Sequence, residues 1–176
     1  MHLVRHALPA PAHRTIVSAP IRIIGIGSPF GGDSVGWSIV ECLQRSHAAQ
    51  AWGSQVALVA ADRPGVGLIE LWRGAYWVAV VDAVISGGVP GRVWRLEGEQ
   101  LACAPAPWSS HGIGVAEALA LARVLSALPE RLVFFGVEIA PQSGPPCASS
   151  VEAAADMIGA EVSMVFEACH TERVLR

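Results

Sequence analysis

The sequence predicts an α/β fold, a single-domain three-layer α/β/α sandwich in which a mostly parallel, twisted sheet lies between two layers of helices. Two observations lead to this prediction. Short, nearly continuous apolar runs alternate with longer segments of helical periodicity, as in parallel sheets covered on both faces. The 176 residues, 52% hydrophobic and only 15% charged, are enough for one large core but too few for two comfortable domains.

The first half of the chain contains three predicted strands and two helical segments. Continuous apolar runs predict strands at residues 21–26, 55–60 and 76–82. A stripe of apolar residues at helical spacing predicts a helix at 34–46, and residues 65–72 have room for one or two helical turns.

The second half begins with a glycine-rich turn and a short strand at residues 92–96, which is expected to pair antiparallel at a sheet edge. A helix is predicted at 114–128, the last strand at 131–136 and the last helix at 149–168. Ser149 or Ser150 is expected to cap that helix, with Glu152 in its first turn. The domain therefore spans residues 21–168, between an N-terminal extension (1–20) and a C-terminal tail (169–176) that is a frayed helix end.

Composition excludes several classes of function. A formal charge of −3, without a basic patch, argues against a nucleic-acid partner. No apolar run approaches the roughly 20 residues of a membrane span, and the first 20 residues lack the apolar block of a secretory signal, so we expect a cytoplasmic protein. Four widely spaced cysteines without a C-x-x-C pair are expected to be reduced, structural thiols. They are Cys42, Cys103, Cys147 and Cys169.

Three side chains that can bind a metal stand in loops at predicted strand or helix ends. Asp33 and Asp62 follow the first two strands, and His111 lies in the loop that enters the helix at 114–128. Ligands bind beyond the carboxyl ends of parallel strands, where Asp82 ends the third predicted strand. Two carboxylates and an imidazole suit a borderline divalent cation such as nickel or zinc.

Each candidate also has a structural alternative. Asp33 fits the N-cap position of the following helix, and Asp62 is suited to cap the next turn. Asp82 and His111 are each suited to hydrogen-bond with neighbouring backbone. Gly25-x-Gly27 resembles a dinucleotide fingerprint, but its third glycine is replaced by Phe30, and no acid follows at a strand end about 20 residues later. Nucleophilic catalysis is disfavoured because no Gly-x-Ser-x-Gly elbow is present.

Five stretches in order resemble the hydrogenase maturation endopeptidases, which remove the C-terminal peptide from the large subunit of nickel–iron hydrogenases. The resemblance covers about residues 21–166. The stretches are Gly25-Ile26-Gly27-Ser28 with Asp33; Asp62 with Gly65-x-Gly67-Leu68; Val80-Val81-Asp82-Ala83 with Pro90-Gly91; Ser110-His111-Gly112-Ile113-Gly114; and Phe135-Gly136-Val137-Glu138.

The resemblance implies that Asp33, Asp62 and His111 are the metal-binding and catalytic residues. It implies that nickel arrives with the hydrogenase large-subunit precursor, although isolated protein could take another divalent cation. The first loop is one residue short: counting back from the helix selects Asp33, and counting forward from Gly27 selects Ser34. Asp33 is favoured because serine is a poor ligand for a divalent ion.

The resemblance also has gaps that leave other functions open. The family usually has asparagine where Ser28 stands, often two adjacent acids in this loop, and commonly glycines where Arg63 and Pro64 stand. A non-catalytic, nickel-dependent maturation chaperone is one alternative, kept open by the missing acid. A metallohydrolase acting on a small substrate is the other, and it would work without a protein partner.

Overall fold

The structure, a computed structural model, describes residues 20–29, 31–98, 100–101, 114–141 and 144–174, with residues 172–174 described by their backbone alone. Residues 1–19 of the predicted N-terminal extension and the loop that carries His111 lie outside these residues.

Within the described residues, five strands form one sheet in the order β2-β1-β3-β5-β4. Strands β1, β2, β3 and β5 are parallel, and β4 pairs antiparallel with β5 at the edge, as predicted. The predicted α/β class is confirmed. The strands are β1 (Ile21–Gly27), β2 (Val56–Asp62), β3 (Trp77–Val84), β4 (Val93–Glu97) and β5 (Arg131–Glu138).

Helices cover both faces of this sheet. Side chains of α1, α2 and α5 build the core on one face, and those of α3 and α4 build the core on the other. No helix among the described residues has both the length and the apolarity needed to cross a bilayer. The helices are α1 (Val35–Gln44), α2 (His47–Trp52), α3 (Leu68–Trp72), α4 (Val115–Val124) and α5 (Ala148–Val174).

Two glycines bring α1 unusually close to β1. A Cβ atom at Gly25 would lie 2.2 Å from the carbonyl oxygen of Gly36, and one at Gly36 would lie 2.1 Å from that of Ile26. Both distances are far below van der Waals contact, so a side chain at either position would push the helix away from the strand. This close approach fixes the loop between β1 and α1, which carries Asp33, over the carboxyl edge of the sheet.

Several element ends differ from the prediction. Asp62 is the last residue of β2, and Asp82 lies inside β3, which continues to Val84. Helix α4 ends earlier than predicted, at Val124, while α5 continues to Val174, through part of the predicted tail.

Two features of the helices were not predicted correctly. The short helix α2 was missed; it starts after Ser46, whose hydroxyl oxygen accepts the N–H of Ala49 at 3.2 Å. The predicted serine cap of α5 is wrong, because the helix begins at Ala148, ahead of both serines. Cys147 precedes it, and its carbonyl accepts the N–H of Val151 at 3.0 Å. Glu152 lies beyond the first turn, which contains no acid.

Candidate functional site

The first two candidate ligands lie at the carboxyl ends of neighbouring strands. Asp62 pairs with Gly27 in the parallel register of β1 and β2. Asp33 follows Gly27 in a 3-10 turn, Gly31–Ser34, and its carbonyl accepts the N–H of Ser28 at 3.3 Å. That bond folds the loop back on the end of β1. Asp33 and Asp62 are therefore anchored to adjacent strand ends, although 29 residues separate them in the sequence.

Arg63 connects the two carboxylates electrostatically. Its Nε donates to Asp62 Oδ1 at 2.7 Å and its Nη2 to Asp62 Oδ2 at 3.4 Å. The hydrogen bonds to Asp62, the charge of Asp62 and the charge of Asp33 together raise the pKa of the Arg63 guanidinium. The side chains of Asp62 and Arg63 are about half exposed, at 53% and 49%, so a ligand from solvent can reach them.

The backbone at Arg63 occupies a conformation that favours glycine. Its φ of +40° lies in the left-handed region, which costs a side-chain-bearing residue steric energy. The neighbouring backbone is tied down, because the Arg63 N–H donates to the Gly27 carbonyl at 3.2 Å. This geometry explains why a glycine would suit the position, and why the arginine is held beside Asp62.

The structure distinguishes the two candidates for the first ligand by their hydrogen bonds. Asp33 Oδ2 accepts the hydroxyl of Ser28 at 3.4 Å and acts on Arg63 at the rim. The hydroxyl of Ser34 instead donates to the carbonyl of Gly31 at 3.1 Å, within its own turn. Ser34 also occupies the N-cap position of α1. Of the two side chains, only the Asp33 carboxylate shares the electrostatic environment of Asp62.

Asp82 is in a different environment from the rim carboxylates. It is fully buried, and its Oδ1 accepts the N–H of Ala83 at 2.8 Å. Side chains along a strand point alternately to the two faces of the sheet. Asp82 therefore faces the same side as Val80 and Val84, against α3 and α4. A hydrogen bond to neighbouring backbone is the structural alternative predicted for this residue.

The third candidate, His111, lies outside the described residues. Within the described part of the chain, no group of three histidine, cysteine, aspartate or glutamate side chains is arranged to hold a metal ion. The described geometry therefore supplies two candidate carboxylate ligands on one rim.

Glu138, at the end of β5, is a buried carboxylate that stands in the last of the five motifs and for which the sequence indicates no role. It is only 2% exposed. Its Oε1 accepts the N–H groups of Ser86 at 2.7 Å and Gly88 at 3.1 Å, and its Oε2 accepts the Ser86 hydroxyl and Trp94 Nε1. Burial opposes ionisation, but these hydrogen bonds outweigh it and lower the pKa of Glu138. The carboxylate thereby fastens the β3–β4 turn and β4 to the carboxyl edge.

Sequence comparisons match most of the chain to one family. The family model described as hydrogenase maturation protease (HycI) matches residues 37–165, which include Asp62 and His111. A curated relative, the hydrogenase expression/formation protein HupD of Thiocapsa roseopersicina, is 33% identical over 121 residues. The match covers 67% of this chain and 53% of that protein, so the chain spans about half the length of this relative.

Solved structures share the fold at low sequence identity. The hydrogenase maturating endopeptidase HybD from E. coli superposes with a TM-score of 0.65 at 21% identity, covering 85% of this chain and 93% of that one. The nickel–iron hydrogenase maturation protease HybD from Thermococcus kodakarensis gives 0.60 at 16% identity, covering 82% and 97%. With the fold and the family model in agreement, this chain belongs to the hydrogenase maturation protease family.

Proposed function

We propose that this chain is an endopeptidase that removes the C-terminal peptide of a nickel-loaded hydrogenase large-subunit precursor. Membership of a maturation protease family supports the reaction class. The observation that carries the proposal for the site is the pair of rim carboxylates, Asp33 and Asp62, which lie on adjacent strand ends and both act on Arg63. His111 would supply the third ligand.

The donor chemistry supports recognition of a metal that the substrate carries. Carboxylate oxygens and an imidazole nitrogen suit a borderline cation, and half-exposed side chains can complete the coordination sphere of nickel already bound in a partner. A cation held there can also polarise a scissile carbonyl or lower the pKa of an attacking water. Only a precursor that carries nickel would then be cut.

When no metal is bound, Arg63 forms an ion pair with Asp62. Its guanidinium bonds to both oxygens of Asp62, so nickel competes with it for that carboxylate. An exposed ion pair of this kind is weak in water, whereas bonds from carboxylate and imidazole ligands to nickel are stronger than such a pair. The exchange therefore favours the metal, and the guanidinium offsets part of the negative charge of the two carboxylates when no precursor is bound.

The ligands bind a metal only when deprotonated, so processing should depend on pH. We expect it to fall as His111 protonates below about pH 6. Processing of nickel-loaded precursor that stays constant from pH 8 to pH 5 would contradict this assignment.

Cleavage of purified precursor by single-residue variants tests the proposed ligand set. Intact mass follows loss of the C-terminal peptide. Asp33→Asn, Asp62→Asn and His111→Ala should each reduce cleavage at least about a hundredfold, a loss typical of a group that acts in the transition state. Ser34→Ala is the matched control and should cut. Failure of Ser34→Ala together with normal cutting by Asp33→Asn would place the first ligand at Ser34.

The same experiment separates the other two functions. A maturation chaperone would form a nickel-dependent complex with the precursor without shortening it. A metallohydrolase for a small substrate would neither bind nor cut the precursor, and the isolated protein would bind a divalent cation tightly.

A further inference from the structure

A cavity of about 260 Å³ opens at the carboxyl edge of the sheet, beside the loop that carries Asp33. Four segments surround it: the β1–α1 loop at Gly32, the β3–β4 turn at Pro90 and Gly91, the end of β5, and the chain that enters α5 at Cys147. We name it the Gly32–Cys147 pocket.

The walls of this pocket are held in place by hydrogen bonds. The N–H of Gly91 donates to the Glu138 carbonyl at 2.8 Å, and the N–H of Glu138 donates to the Arg92 carbonyl at 2.8 Å. A Cβ at Gly91 would lie 2.6 Å from Ser150 Oγ, so the turn also packs directly against the first turn of α5. These bonds and contacts fix the wall of the pocket that the β3–β4 turn and the end of β5 form.

Among the described residues the lining is mostly apolar, and the one carboxylate in it already has hydrogen-bond partners. Glu138 has four hydrogen-bond donors from the protein itself. The Cys147 thiol contacts the Ser149 hydroxyl at 3.1 Å. An anionic occupant would be repelled by the Glu138 carboxylate, and a cationic one could bond to it only by displacing a donor of the protein. An apolar occupant would be stabilised by burial. The apolar side chains are Val35, Pro90, Val137, Ile139, Pro145 and Pro146.

Size and position limit the occupant further. The volume lies below the roughly 300–1,000 Å³ of pockets that enclose a whole small ligand, so it suits part of a larger molecule. Gly32 lines the pocket and Asp33 follows it directly. Consecutive Cα atoms are about 3.8 Å apart, so an extended peptide that passes Asp33 reaches the pocket within a few residues.

We propose that the Gly32–Cys147 pocket is the subsite that holds one apolar side chain of the precursor close to the bond that is cut. This inference rests on the proposed function and extends it, because it assigns specificity for the peptide to a place separate from the metal ligands. The nickel selects a loaded precursor, and the pocket fixes which residue of its C-terminal segment is positioned for cleavage.

Filling the pocket without touching the metal ligands is the first test. Ala140 lines the pocket, so Ala140→Leu and Ala140→Trp should occlude it in two steps. Ala160→Trp adds the same bulk on the exposed side of α5 and is the matched control. With nickel-loaded precursor, KM should rise in the order Ala160→Trp, Ala140→Leu, Ala140→Trp, by at least about tenfold for the last. Circular dichroism verifies that each variant is folded.

A double-mutant cycle then identifies the occupant. Once intact mass has located the cut, each apolar precursor residue flanking it is changed to alanine. One such change should lower kcat/KM about tenfold to a hundredfold with the unmodified enzyme and much less with the Ala140→Leu enzyme. The effects are not additive because the enzyme change and the precursor change remove the same contact.

The outcomes distinguish this inference from the function on which it rests. Normal cleavage and an unchanged KM in folded Ala140→Trp would overturn the inference and leave the proposed function intact. Independent, multiplicative effects for every flanking residue would overturn it as well. If the unmodified chain does not cut nickel-loaded precursor, the proposed function fails and the subsite assignment fails with it.

Discussion

The buried carboxylate of Glu138 should make a large contribution to stability that depends on its charge. Glu138→Gln keeps the shape of the side chain but replaces one acceptor oxygen with an NH2 group. In the structure both oxygens accept bonds from N–H donors that cannot turn away, two backbone groups on Oε1 and Trp94 Nε1 on Oε2. Whichever oxygen is replaced, at least one buried N–H then faces another N–H.

The least costly arrangement places the NH2 group at Oε2. The Ser86 hydroxyl can rotate to accept from it, but Trp94 Nε1 loses its acceptor. One unsatisfied buried donor costs about 1–3 kcal/mol, and hydrogen bonds to a charged acceptor are stronger than those to a neutral one. We therefore expect the variant to lose about 2 kcal/mol of unfolding free energy at pH 7, which lowers the melting temperature by about 4–8 °C.

The loss should depend on pH in a defined direction. The folded-state pKa of Glu138 is lowered, since its hydrogen bonds outweigh the opposing effect of burial. A carboxyl group with a lowered folded pKa stabilises the fold fully above its unfolded pKa of about 4.5, and this stabilisation disappears as pH falls through the folded pKa. The difference between Glu138→Gln and the unmodified chain should therefore shrink on acidification below about pH 4.5.

Urea unfolding at pH 7 and at several lower pH values measures this difference. Glu152→Gln, on the exposed face of α5, is the matched control and should change stability by less than about 0.5 kcal/mol. Equal stability of Glu138→Gln and the unmodified chain at pH 7 would refute the reasoning. So would a deficit that stays constant down to pH 3.

Three further perturbations follow from the structure. Gly36→Ala forces a Cβ to within 2.1 Å of a backbone oxygen and should lower the free energy of unfolding in urea by more than about 3 kcal/mol. Gly67→Ala, with open space around it, should be nearly neutral, and equal losses in the two variants would contradict the close packing. Arg63→Gly relieves a positive φ and removes the cation bound to Asp62, so the KM for nickel-loaded precursor should fall several-fold. A higher KM would argue against competition between Arg63 and the metal. The hydroxyl of Ser149 lowers the pKa of the Cys147 thiol, so iodoacetamide should react there readily. Treatment should slow precursor cleavage by the unmodified chain more than cleavage by the Cys147→Ser variant, each compared with its own untreated rate. Equal slowing of the two would contradict a blocked pocket.

The sheet could be predicted because its strands are short, continuous apolar runs. Strand ends were less predictable, since acidic residues are depleted in strands and are expected just past their ends. Asp62 and Glu138 instead complete the ladder, paired with Gly27 and Val84. The short helix α2 is too brief to show helical periodicity, and its one local signal is the capping Ser46.

Buried charges were the least predictable part of the fold. Glu138 is satisfied by donors that lie 44–52 residues earlier in the chain, and nothing local to it indicates them. Arg22 lies in an apolar strand and is fully buried; its Nη1 donates to the Leu71 carbonyl at 2.7 Å, and burial lowers the pKa of its guanidinium. Both depend on which segments the fold brings together.

The candidate site was predictable in its residues more than in its geometry. The motifs proposed Asp33 and Asp62 as candidates, which stay a prediction, and the topology rule for parallel sheets indicated that they share one edge. The ion pair between Arg63 and Asp62 depends on the left-handed backbone at Arg63, which a sequence does not reveal for arginine. The pocket beside Asp33 combines four segments that are distant in sequence.

Nickel dependence of precursor cleavage tests the central claim most directly. Purified large-subunit precursor, with and without loaded nickel, is incubated with this chain, and intact mass reports loss of the C-terminal peptide. Cleavage of the nickel-loaded form alone, abolished by His111→Ala, is the predicted result. Equal cleavage of both forms, or cleavage that survives His111→Ala, would contradict the claim that this protease recognises its substrate by the metal.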